Sequence, residues 1–219
     1  MPRPPVQPDR STIAPAELDD YDSVVARLTA MGRTGGSAGP YHGPLLTSPP
    51  LAAVITRFGG LVRTRGEQPG SYTHAEREIV DMVLSRDLGY NGVLSVHIPD
   101  ALALGVRLEA IEAILEGRDD DLHDDERQLV DFVRAVAGGT VTDAAWAAME
   151  ERMGHRGALE YAIFVNFLVF TIRMFQTMGI PAPDDGEIRQ LLDEFRDGTR
   201  TIGGPLDDLG IPDYRSRLR

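Results

Sequence analysis

The stretch THAEREIVDMVLSRDLGYNGVLSVHIPDALALGVRLEAIEAILEG, residues 73–117, decides the fold. Thr73 and Glu76 have the T-x-x-E spacing of a capping box, in which each side chain satisfies the other's exposed backbone donor, so a helix starts here. Ile79, Met82, Val83 and Arg86 form one stripe along it. Val80, Leu84 and Leu88 widen the apolar surface, and Gly89 supplies a left-handed stop. After the Asn91-Gly92 turn, Val93, Leu94, Val96 and His97 open a second helix. Pro99 sits inside that pattern and removes a backbone bond near Ser95, so the second helix is either kinked or begins late. A third, short helix carries Ile111, Ile114 and Leu115 to Gly117.

Outward from this stretch the pattern stays helical. Residues 1–15 hold five prolines and little to bury, which predicts an extended or disordered arm unless a partner subunit holds it. Helices are predicted over Ala16–Met31 and Pro49–Arg63, joined by the Gly-rich connector Gly32–Pro40. That connector lacks the Gly-Lys-Ser/Thr ending and preceding strand of a phosphate loop, so it reads as a linker. Further helices are predicted over His123–Ala137, Thr142–Met153 and Asp184–Phe195. The run from about Ala158 to Met178 is apolar on almost every face, the mark of a core helix or an oligomer interface. No segment has a convincing strand pattern, so the class is all-α, divided into an arm and linker over 1–40, a helical domain over 41–196 and a tail over 197–219.

Composition narrows the function. Twenty-two Lys and Arg against 34 Asp and Glu give −12, which repels nucleic acid and anionic membranes; Arg63 with Arg65, and Arg215, Arg217 and Arg219, are the local basic concentrations and read as solvated. With no cysteine, disulfides, thiolate catalysis and cysteine-ligated metals are excluded. MPRPPVQPDR has no apolar secretory core, and Ala162–Phe170 is interrupted by Asn166 and falls short of the ~20 residues a membrane span needs. A cytoplasmic protein is expected.

Glu78 and His97 are the first candidates for chemistry. Counted back to the turn at ~1.5 Å per residue, Glu78 lies ~16 Å up one helix and His97 ~8–10 Å up its antiparallel neighbour. Long side chains could close that gap, giving a carboxylate that orients an imidazole for acid/base work. The alternative is a surface Glu78 paired with Arg77 or Arg86 and a satisfied core His97. His74 and Glu78, at i and i+4, lack a third ligand at sensible spacing, so no metal site is expected. Asn166 and Arg173, seven apart in the apolar helix, share a face. Asn166 is expected to bond within the core, and Arg173 to seek a carboxylate from Glu160, a partner subunit or a ligand.

The blocks GPLLTSPPLAAVITRFGGLVR, HAEREIVDMVLSRDLGYNGVLSVHIPDALALGVRLEAIEAILEG, DDERQLVDFVRAV with GTVTDAAWAAMEERMG, and TIRMFQTMGIPAP, in this order over about residues 43–183, resemble the carboxymuconolactone decarboxylase and alkylhydroperoxidase-like family. The resemblance implies an all-helical fold assembled as a homo-oligomer, a dimer, trimer or hexamer, with sites near subunit contacts. In redox members a Cys-x-x-Cys pair opens the second helix, a histidine follows four residues later, and a glutamate lies on the preceding helix. Here Tyr90 and Val93 stand at the cysteine positions, with His97 and Glu78 at the others. Thiol–disulfide chemistry cannot run without thiols, so peroxidase and disulfide reductase activities are excluded. The Tyr-Glu-Trp-x-His-His segment common in decarboxylases reads Gly92-Val93-Leu94-Ser95-Val96-His97 here, keeping the final histidine.

The expected activity is cofactor-free acid/base chemistry on a small carbonyl- or carboxylate-containing metabolite. His97 would move the proton, Glu78 orient it, Tyr90 donate to a developing oxyanion and Arg173 anchor a carboxylate, with Val93 lining the substrate. The competing expectation is a non-catalytic oligomeric scaffold whose old site is filled by Val93, Leu94 and Val96.

Overall fold

A computed structural model describes residues 7–30, 36–64 and 70–201. Its helices are α1 Leu18–Ala30, α2 Gly39–Leu45, α3 Pro49–Thr64, α4 His74–Asp87, α5 Leu94–Ala103, α6 Leu108–Glu116, α7 Asp124–Gly138, α8 Asp143–Met178 and α9 Asp185–Arg196. Short 3-10 turns occupy Arg10–Thr12, Pro15–Glu17 and Asp119–Asp121. Among the described residues there is no strand, so the chain is all-α. It divides into two compact units, the described parts of 7–61 with 174–181, and of 62–173 with 182–201.

In the first unit, Tyr21, Val24 and Leu28 of α1 pack with Ala38, Leu46 and Ala52. The described part of the expected loose arm, residues 7–15, is tied down. Asp9 caps the first 3-10 turn, Arg10 pairs with Asp22, and Gln7 reaches Tyr21 and the backbone of Gly36 and Ala38. Residues 1–6, 31–35 with the first part of the Gly-rich connector, 65–69 with Arg65, and 202–219 with Arg215, Arg217 and Arg219 lie outside the described set. The Tyr41 and Phe175 rings meet at 4.4 Å between centres, tilted by 58°.

In the second unit α4 is the central helix, packed against α5, α6 and α7. The capping box is formed: Thr73 Oγ1 accepts from the Glu76 N–H, and the Glu76 carboxylate accepts from the Thr73 N–H at 2.7 Å. Gly89, at φ 64°, ends the first arm of the hairpin in the left-handed region where a Cβ costs energy. Pro99 lies inside α5, which runs helical through it.

The two late helices expected at 142–153 and 158–178 form one run, α8, broken at Gly154 with φ 77° and ψ 162°. Tyr161, Phe164, Val165, Leu168 and Ile172 are buried, whereas Leu159, Ile163 and Phe170 are exposed. Asn166 also faces outward, and its amide donates to the Ala162 carbonyl at 2.9 Å, so the expected core position is corrected. Arg173 is likewise exposed. By length and composition α8 could cross a membrane, but its break and its buried face suit a core helix.

Candidate active site

Helix α4 carries an unusual stripe. His74, Arg77, Glu78, Asp81 and Ser85, spaced i, i+3, i+4, i+7 and i+11, lie on one face, and all five are buried. Apolar Ile79, Val80, Met82, Val83 and Leu84 cover the remaining sides. A buried charge costs several kcal/mol on the order of magnitude unless paired, so this stripe demands partners. They come from three directions: the stripe itself, α5 and the end of α3.

Glu78 is fully buried. Arg77 Nε and Nη2 donate to its Oε1 at 2.9 and 2.5 Å, and Arg77 Nη1 donates to the Arg63 carbonyl at 3.0 Å. Its other oxygen, Oε2, lies 2.7 Å from His97 Nδ1 on α5. The Glu78–His97 pair is therefore formed; the Arg77 partner of the alternative reading is present too, but Glu78 is buried and not at the surface. His97 keeps 15% side-chain exposure and turns Nε2 toward Asp81 Oδ1 at 3.6 Å, beyond hydrogen-bond range. Arg63 Nη2 reaches the same Asp81 oxygen at 3.3 Å.

The electrostatics follow from this packing. Burial works against a charge on Glu78, but Arg77, then His97 and Arg63, outweigh it and hold the carboxyl far below its usual range. Burial also opposes charge on His97, yet Asp81 and Glu78 overcome it and raise its pKa above the ordinary value. Charge on the ring is therefore better stabilised than on a free histidine. Asp100, one turn beyond His97 on α5, is pushed up to about 7 by burial and then by the Glu78 charge. His74 is pushed down to about 4 by burial and then by Arg77, so it stays neutral near pH 7.

Tyr90 is buried at the turn, and burial raises its phenol to about 12, keeping it a hydrogen-bond donor. A Cβ on Gly92 would land on the Tyr90 ring and hydroxyl, so glycine at 92 is what lets this ring fold over the turn. Val93 is buried, and its carbonyl accepts from the His97 N–H at 3.1 Å, fixing the first turn of α5 under the imidazole. Arg173 stands on the exposed side of α8, while the cations acting on Glu78 and His97 are Arg77 and Arg63. Glu160, its suggested partner, accepts from Ser71 and Arg156.

Sequence reasoning passed over Asp81 and Asp100, read Arg63 as solvated and gave Arg77 to Glu78 only as a surface partner. The polar periodicity of α4 was the available signal. Glu78, Asp81 and His97 bring one possible metal-ligand atom each within 4.8 Å of one another. However, the two imidazole nitrogens face two different carboxylates, and each carboxylate already meets an arginine. With two guanidiniums balancing two carboxylates, the arrangement favours a proton over a divalent ion.

No protein-family model, curated protein or solved structure matches the chain.

Proposed function

We propose that this chain is a cysteine-free relative of the carboxymuconolactone decarboxylase and alkylhydroperoxidase-like proteins. It acts as a cofactor-free enzyme that moves a proton on a small carbonyl- or carboxylate-containing metabolite. The observation that carries the reading is the 2.7 Å contact of His97 Nδ1 with a fully buried Glu78. That contact commits Nδ1 to Glu78 and leaves Nε2 as the working nitrogen. In its neutral form the ring takes a proton from the carbon beside a carbonyl, the C–H electrons passing to the carbonyl oxygen. As imidazolium it returns a proton to the enolate carbon, whether the enolate arose by that deprotonation, as in an isomerisation, or by loss of carbon dioxide with the C–C electrons passing to the carbonyl oxygen. The raised pKa of His97 suits the second half of that cycle at neutral pH. Tyr90 donates to the enolate oxygen, and Arg63, at the partly exposed rim, supplies the positive charge that Arg173 was expected to bring.

Exposed Leu159, Ile163 and Phe170 on α8, and Leu51, Val54, Phe58 and Leu61 along α3, support assembly into a homo-oligomer. The buried Val93 and Leu94 favour a second reading, a non-catalytic scaffold that has kept the pair as a structural tie. Solvent exchange separates the two. In D2O, the protein should incorporate deuterium beside the carbonyl of small ketones and keto acids, and His97→Ala should abolish it. Exchange that is absent, or unchanged in His97→Ala, supports the scaffold.

A further inference from the structure

Helix α8 carries an exposed seam. Leu159, Ile163, Asn166, Phe170 and Arg173 all face solvent, while Tyr161, Phe164, Val165, Leu168 and Ile172 between them face the core. The exposed five follow one another at alternating steps of four and three residues. That alternation is the a/d repeat of a coiled coil, whose 3.5-residue period keeps one narrow stripe against a second helix along its length. Such a seam fits another helix better than it fits a flat surface.

The charges beside the seam say which helix. Glu160 stands six residues before Asn166 and Arg173 seven after it. Within one chain those thirteen residues keep the two charges ~20 Å apart. A second α8 turned antiparallel about Asn166 brings Arg173 within one residue, ~1.5 Å along the axis, of Glu160 of the partner subunit, and the two-fold repeats the pair at the other end. Glu160 flanks the seam next to Leu159, where interhelical charge pairs set orientation. Its carboxylate accepts from Ser71 and Arg156 and has further acceptor sites. Asn166 donates to the Ala162 carbonyl, and an amide with two N–H donors and an acceptor oxygen can keep that bond and still meet its own copy at the axis. In this register Phe170 inserts between Leu159 of the partner subunit and Ile163 of the partner subunit. A parallel pairing would instead set Arg173 against Arg173 of the partner subunit. We propose that two copies of this chain pair through α8, antiparallel about an axis at Asn166, with Arg173 of each reaching Glu160 of the partner subunit. This contact rests on the homo-oligomer reading above and specifies its geometry.

Because the chain holds no cysteine, one introduced thiol per copy reports the register without background. Asn166→Cys treated with a short bismaleimide should give a covalent dimer, since its two thiols meet at the axis. Leu159→Cys should not, because the antiparallel turn sets its two thiols fourteen residues, ~21 Å, apart along the axis. Sedimentation confirms that both variants assemble. Arg173→Glu should raise the dissociation constant by roughly tenfold or more, because like charges then face each other. Three results overturn this contact and leave the homo-oligomer standing: assembled Asn166→Cys that fails to link, Leu159→Cys that links as well, or Arg173→Glu that assembles as tightly as wild type. A wild type that sediments as a monomer at every concentration overturns both readings and gives the seam to a lipid surface or to another protein.

Discussion

Arg77 and Glu78, neighbours in sequence, form a buried ion pair in which Nε and Nη2 both reach Oε1. Adjacent residues on a helix do not face each other, so the arginine must fold back along the α4 stripe to make this contact. Its Nη1 is anchored on the Arg63 carbonyl. Glu78 is thereby held ionised with its second oxygen turned to His97. The pair positions the carboxylate that meets His97.

Removing one partner of such a pair leaves an uncompensated buried charge, and Arg77→Leu should cost about 3–5 kcal/mol of stability. Adding Glu78→Gln to that variant should restore part of the loss, because the stranded charge disappears. Urea denaturation of the two single variants and the double variant measures the coupling. Additive losses would show that the pair carries no such interaction.

Asp100 titrates with the opposite sign. Its folded pKa of about 7 lies above the ordinary 3.8, so the unfolded chain gives up this proton first as pH rises. Asp100 therefore favours the folded state least above about pH 7, and its burden grows between about pH 4 and pH 7. Asp100→Asn should gain stability over wild type across that interval and hold a constant advantage above it. Denaturation curves at a series of pH values check this; an advantage independent of pH would contradict it.

Gly92 is set by the Tyr90 ring that lies over it. Gly92→Ala should displace the phenol, and solvent-exchange activity should fall while His97 still titrates normally. Tyr90→Phe should reproduce the loss without moving the backbone. An unchanged exchange rate in both variants would remove Tyr90 from the mechanism.

The exposed α8 stripe should matter to assembly. Ile163→Glu places a charge between Leu159 and Phe170, and sedimentation should show a lower mass than wild type. Equal masses for the two proteins would separate this stripe from any subunit contact.

Much of the central hairpin was legible in the sequence, because its boundaries rest on local chemistry. The capping box at Thr73 and Glu76 and the stop at Gly89 need no tertiary information, and both are present. Glu78 and His97 were within reach of helix geometry, since a short turn makes their helices antiparallel neighbours. Asp81 and Arg63 were not. Reading apolar periodicity alone assigns a polar face to solvent, yet the polar face of α4 is covered by α5 and by Arg63 from the end of α3. Asn166 and Arg173 show the reverse error: apolar neighbours in sequence suggested burial, but these two residues point outward from α8. Burial of a polar side chain depends on which element covers it, and one helix's own sequence does not contain that information.

The central claim is that His97 works as an imidazole held between two carboxylates. Titrating its ring by nitrogen-15 NMR in wild type, Glu78→Gln and Asp81→Asn tests this most directly. The wild-type pKa should lie above 6.5, with both variants lowering it. A wild-type value at or below 6.5 that neither substitution moves would contradict the account.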